Sequence, residues 1–127
     1  YVLDEVDFRR RARVFREEFG RAFAAIGTEV DVYYAGKAFL STAVARWAAE
    51  EGLRIDTATG GELAVALRAG VPGEHIGLHG NNKSDAEIRR ALDAGVGRLV
   101  LDSLPEVDRV AAAAATAGVR APVMVLS

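Results

Sequence analysis

Cysteine is absent from the 127 residues, so disulfide frameworks, thiolate metal sites and a cysteine nucleophile are all excluded within this stretch. Lysine is nearly absent as well: of sixteen basic side chains only Lys37 and Lys83 are lysines. No apolar run reaches the length that a bilayer demands, and no basic start with an apolar run precedes a cleavage site. Positive charge is not in surplus either, and a formal net charge of −2 argues against a nucleic-acid footprint. The cluster Arg9, Arg10, Arg11, Arg13 and Arg16 is bracketed by Asp4, Glu5, Asp7, Glu17 and Glu18, which reads as a solvated helix face. The expectation is a soluble, unexported, cytoplasmic protein with neither nucleic acid nor membrane as partner. The chain starts at Tyr1 without Met and stops at Ser127 after an apolar run, so both ends are expected to be cuts.

What is present is enough apolar material for a real core, 50% of residues, in an alternating pattern. Short β-rich runs are read at Val30 to Ala35, Arg54 to Thr57, Ile76 to Leu78, Arg98 to Leu101 and Pro122 to Leu126. Amphipathic helical runs are read at Asp7 to Gly20, Ser41 to Glu51, Gly61 to Ala69, Asp85 to Ala94 and Leu104 to Ala117. Three helix starts carry a hydroxyl residue followed three positions later by Glu, in the pairs Thr59 and Glu62, Ser84 and Glu87, Ser103 and Glu106. Each pair predicts a reciprocal capping box. Gly52, Gly70, Gly95 and Gly118 mark helix ends that turn left-handed. Repeated βα units predict a parallel sheet, closed as a barrel or spread as a doubly wound sheet, and periodicity does not choose between them. The first βα turn, Ala35-Gly36-Lys37-Ala38-Phe39, lacks the glycine patterns of nucleotide-binding sheets.

Lysine scarcity makes each lysine informative. Imine chemistry needs an amine that can lose its proton, which a guanidinium cannot do at accessible pH. A lysine taken blindly is expected at the surface, and that expectation stands for Lys83. Lys37 is different because it follows a strand: alternation puts Asp31, Tyr33, Ala35 and Lys37 on one side, with Val30, Val32 and Tyr34 packing on helices. Lys37 is then expected at the C-terminal mouth of a barrel, where active sites of that fold lie, with Ala35 leaving room beside it.

Four segments carry a specific resemblance. Tyr34-Ala35-Gly36-Lys37-Ala38 is similar to a Y-A-x-K-A strand end, and Asp56-Thr57-Ala58-Thr59-Gly60-Gly61-Glu62-Leu63 to a D-x-x-S-x-G-E-L segment with Thr for Ser. His79-Gly80-Asn81-Asn82-Lys83-Ser84 reads H-G-N-N-K-S, and Leu101-Asp102-Ser103 matches a V-D-S strand ending. In this order they resemble the alanine-racemase-like family of pyridoxal-phosphate-dependent barrel decarboxylases. H-G-N-N-K-S is typical there of diaminopimelate decarboxylases rather than of ornithine or arginine decarboxylases.

The resemblance implies an N-terminal part of an α/β fold, a partial (β/α)8 barrel with about five of eight strands, and Tyr1 to Leu3 as a strand of a second, β-rich domain. It implies a lyase that converts meso-diaminopimelate to lysine and carbon dioxide when complete, as a homodimer acting on a small amino-acid substrate. Another basic-amino-acid decarboxylase and a non-catalytic barrel fragment are the alternatives. Lys37 would carry pyridoxal 5'-phosphate, with Asp56 beside it to hold the displaced ammonium and Ala35 lining the cofactor. His79, Asn81 and Asn82 would shape the site, though a turn with side-chain hydrogen bonds explains them nearly as well. No metal is implied. The family's arginine near the fifth strand end has no counterpart in Val123-Met124-Val125-Leu126-Ser127. Its phosphate loop, pyridine-nitrogen acid, ring-stacking histidine and cross-dimer cysteine belong to later sequence.

Overall fold

Residues 2–126 are described in the computed structural model. The first helix, α1 (Glu5–Ala24), begins where the Asp4 carboxylate accepts the Asp7 N–H at 3.2 Å. It is longer than the sequence pattern predicts because Gly20 stays helical. One glycine costs a helix only about 1 kcal/mol, and the chain turns at Gly27 instead, with φ +78. Of the strand expected over Tyr1 to Leu3, Tyr1 lies outside the described residues. Val2 and Leu3 lead into α1 with no strand structure.

Strand and helix then alternate as β1 (Tyr33–Ala35), α2 (Thr42–Glu50), β2 (Arg54–Thr57), α3 (Gly60–Arg68), β3 (Ile76–Leu78), α4 (Asp85–Ala94), β4 (Arg98–Leu101), α5 (Leu104–Ala117) and β5 (Val123–Val125). The β1 strand is shorter than the predicted Val30 to Ala35. Its one neighbour among the described residues, β2, begins at Arg54, whose N–H reaches Val32 O at 2.9 Å, so residues before Val32 face no described strand. All four pairings are parallel and the order is β1-β2-β3-β4-β5. Each connection advances by one strand in the same direction. A doubly wound sheet must reverse that direction at a switch point, so the order is that of a (β/α) barrel.

Helices cover one face of this sheet. Ile55, Ile76, Leu78, Leu99 and Leu101 point into that layer and are 0–1% exposed. They meet small and branched residues spaced three or four apart on the helices, such as Ala45 and Ala48, Leu63 and Ala66, or Ile88, Ala91 and Leu92. On α1, Phe8 packs edge-on against Tyr34, with ring centroids 5.5 Å apart, and lies tilted against Trp47 of α2. The arginine cluster of α1 is only partly a solvated face. Arg10 and Arg11 pair with Asp7, whereas Arg9 reaches Glu50 and Arg13 reaches Glu51 at 3.0 Å each, binding α1 to the C-terminal end of α2.

All three hydroxyl caps form, but only one capping box is reciprocal. Thr59, Ser84 and Ser103 accept the N–H groups of Glu62, Glu87 and Glu106. Glu87 alone returns the bond, its Oε1 accepting Ser84 N–H at 3.0 Å. Glu62 reaches one residue further back, to Ala58 N–H at 2.8 Å, because that group is released where β2 ends. Glu106 turns inward to Lys83, since a buried ammonium left without a counter-charge costs more than an open cap. The predicted left-handed ends are present at Gly52, Gly70, Gly95 and Gly118.

Glu87 also accepts Gly60 N–H at 2.8 Å through Oε2 and so ties the starts of α3 and α4 together. The Ser84 backbone N–H and hydroxyl hold its carboxyl below the ordinary value of 4.5, with Gly60 N–H and the charge of Lys83 adding to this. A depressed folded value means that the ionised carboxylate stabilises the fold above about pH 4.5, and that this contribution is lost as pH falls through the lowered value. Glu87→Gln is therefore expected to lower stability by about 1 kcal/mol near neutrality. The difference from wild type should shrink as urea melts are repeated at pH values falling progressively below the ordinary 4.5; a difference that stayed constant with pH would assign Glu87 to packing alone.

Candidate active site

Register, more than any single strand, assembles the polar inner face. Ala35, Asp56, Gly77 and Arg98 are successive partners across β1, β2, β3 and β4, forming one layer that points away from the helices. A Cβ on Gly77 would stand 2.4 Å from Asp56 Oδ1, so the carboxylate occupies the space that any side chain at 77 would fill. Arg98 lies over the Tyr33 ring, 4.4 Å from its centroid, with Nη2 3.6 Å from Asp56 Oδ1. His79 Nε2 is 3.2 Å from the same oxygen, an ion-pair distance without the geometry of a hydrogen bond. Asp56 Oδ1, His79 Nε2 and Arg98 Nε are all buried with no hydrogen-bond partner among the described residues.

Directly above this layer an open pocket of about 270 Å3 is lined by Ala35, Gly36, Lys37, Asp56, Thr57, Ala58 and His79. Strand alternation does not carry Lys37 there, as the sequence pattern suggests, because β1 stops at Ala35. A turn closed by Ala38 N–H on Ala35 O at 3.1 Å holds Lys37 instead. The turn is fixed on both sides. Gly36 N–H donates to Asp56 O at 2.8 Å, and a Cβ at 36 would stand 2.8 Å from that same oxygen, so only glycine approaches β2 this closely. Beyond Lys37, the Tyr34 hydroxyl donates to Phe39 O at 2.5 Å, and burial pushes the Tyr34 phenol above its usual value. Lys37 itself is exposed, an amine at the rim of a pocket whose floor carries a carboxylate and an imidazole.

Four of the residues singled out from sequence, Ala35, Lys37, Asp56 and His79, thus share one pocket. The Asp56 carboxylate is approached by the His79 ring and the Arg98 guanidinium, and its one ion pair with a fixed cation among the described residues is with Arg98. Asn81 and Asn82 are exposed in the turn that follows β3, with Asn82 in the left-handed region at φ 60, and neither lines the pocket. Sequence reading placed Tyr33 on the inner side without giving it a role, and it missed Gly77 and Arg98. The signal for Arg98 was its position, two residues from Val100 and out of phase with buried Leu99 and Leu101. The signal for Gly77 was a glycine centred in a buried strand. It also missed that Lys83 is 3% exposed, where a surface lysine was expected. Among the described residues no group of three or more His, Asp or Glu could hold a metal, and no helix is long and apolar enough to cross a membrane.

The family model for the pyridoxal-dependent decarboxylase, pyridoxal binding domain, matches residues 5–125. The chain is 53% identical over 125 residues to diaminopimelate decarboxylase of Mycobacterium leprae, covering 98% of this chain and 25% of that protein. It is 51% identical over 125 residues to the diaminopimelate decarboxylase of Mycobacterium tuberculosis, covering 98% and 26%. Among solved structures, the diaminopimelate decarboxylase from M. jannaschii in co-complex with L-lysine superposes with a TM-score of 0.86 at 29% identity, over 97% of this chain and 28% of that one. The chain therefore spans about a quarter of the length of the curated relatives it matches. Since the match runs from the start of α1 to the end of β5, the chain belongs to the pyridoxal-dependent decarboxylases, within their pyridoxal binding domain.

Proposed function

We propose that this protein decarboxylates meso-diaminopimelate to L-lysine and carbon dioxide, with pyridoxal phosphate attached at Lys37. The observation that carries the reading is the position of an exposed lysine amine on the rim of a pocket floored by Asp56 and His79. Similarity to diaminopimelate decarboxylases at about half identity supports the substrate, as does a relative held with L-lysine.

The residues present fit the cofactor. Lys37 offers the amine that an aldehyde needs, and Ala35 and Gly36 bring no bulk beside it. Asp56, His79 and Arg98 leave buried polar atoms without partners on the same face. When bound, pyridoxal phosphate supplies the electron sink for the electron pair left behind as carbon dioxide departs. Lys37 Nζ is the attachment point, and after its release it holds a proton that it can deliver to the reacting carbon. Asp56 offers negative charge to that released ammonium, while His79 and Arg98 fix the direction of the carboxylate. Arginine at position 37 would keep the charge and lose the chemistry, because a guanidinium does not give up its proton.

Borohydride reduction of the full-length protein loaded with the cofactor is expected to leave the cofactor on the peptide that contains Lys37; recovery on Lys83 would overturn the assignment. Lys37→Ala should lower kcat by roughly a thousandfold or more, with Lys37→Arg no better. Turnover of meso-diaminopimelate should exceed that of ornithine and arginine, and the opposite ranking would favour another basic-amino-acid decarboxylase. Asp56→Asn should cost about tenfold or more in kcat while leaving the melting temperature nearly unchanged, since its charge matters most once the Lys37 ammonium is free. Early melting with near-normal turnover would make Asp56 a structural residue.

A further inference from the structure

Lys83 is the one lysine that the proposed chemistry leaves unused, and it is buried with all three of its ammonium donors engaged. Its ammonium donates to Gly80 O at 2.8 Å, to Glu106 Oε1 at 2.8 Å, and to Val100 O. Three donors thus meet three acceptors, and the two side chains are each 2% exposed. The backbone of Lys83 is held as well: its N–H donates to Glu106 Oε2 at 3.4 Å, and its carbonyl accepts Arg109 Nη2 at 2.5 Å. An ion pair so deeply buried is weak evidence for stability, because desolvation offsets much of the attraction. What it does supply is direction. Lys83 draws the Gly80 carbonyl toward the end of β4 and the start of α5, and Gly80 adjoins His79.

The loop is fixed at its other end by β2. His79 N–H donates to Thr57 O at 2.7 Å, and a Cβ on Gly80, at φ +109, would stand 2.7 Å from Ala58 O. His79 is therefore pinned between two anchors, one on the pocket wall at Thr57 and Ala58, the other at Lys83 and Glu106. Its ring reaches Asp56 from this position. We propose that the Lys83–Glu106 pair is a positioning device for the active site, which sets His79 against Asp56 and so fixes the carboxylate that shares the pocket with Lys37. The proposal rests on the assignment of Lys37 given above. Among the described residues Lys83 and Glu106 make no hydrogen bond or ion pair to a pocket-lining side chain, so they act through the loop and not on the reacting atoms.

The test replaces the pair as a unit in the full-length holoenzyme, because removing one partner strands a buried charge. Lys83→Met with Glu106→Leu should still fold and still be trapped by borohydride on Lys37. In the cofactor-free protein, amide hydrogen exchange of the segment 78–84 should be about tenfold faster than in wild type. In the loaded enzyme, kcat should fall by about tenfold, and the same pair of changes made in a His79→Ala background should cost no more than about a further twofold. Glu106→Gln keeps the shape and an acceptor for Nζ but strands the buried ammonium, so it should melt earlier than wild type while the molecules that stay folded keep most of the activity. Unchanged exchange, unchanged kcat, or a loss that multiplies with that of His79→Ala would overturn the proposal. So would a paired variant that fails to fold while Glu106→Gln is fully active, since the pair would then serve folding. A wild-type enzyme without cofactor on Lys37 would instead overturn the functional reading, which separates the two failures.

Discussion

Parallel pairing in chain order is the constraint on which this structure depends. When each strand lies beside its predecessor and points the same way, all C-terminal strand ends fall on one edge. Residues 21 apart in sequence, Ala35, Asp56, Gly77 and Arg98, become neighbours in a single layer. The turn with Lys37, the carboxylate of Asp56 and the ring of His79 converge for that reason. None of the three is brought in by a long loop, so the pocket is carried by the sheet itself, whose backbone is the stiffest part of such a fold.

Carboxylates do most of the work of joining one βα unit to the next. Glu87 bonds the starts of α3 and α4, Glu106 joins α5 to the loop after β3, and Glu62 closes the end of β2 onto α3. Each sits in the first turn of its helix, where unsatisfied N–H groups favour negative charge. The same helix starts face the mouth of the sheet, so the groups that secure the fold also frame the pocket. Asp56 is the exception. Its carboxylate makes no hydrogen bond to the backbone among the described residues and presents Oδ1 to the inner face, where His79 and Arg98 approach it.

The sequence by itself determined the elements and the repeating unit. Arg54 to Thr57, Ile76 to Leu78, Arg98 to Leu101, Asp85 to Ala94 and Leu104 to Ala117 have the bounds expected from local pattern, because β-branched runs, hydroxyl caps and left-handed glycines are short-range signals. It also singled out Lys37, through the rarity of lysine and its place after a strand. Tertiary structure decided the rest. Whether the sheet advances or reverses depends on which strands pair, a long-range matter that periodicity does not encode. Glu62 and Glu106 left their capping boxes because better partners stood nearby only after folding. Lys83 went inward for the same reason: a buried ammonium is tolerated only where three acceptors meet it, and those come from β4, from α5 and from its own loop.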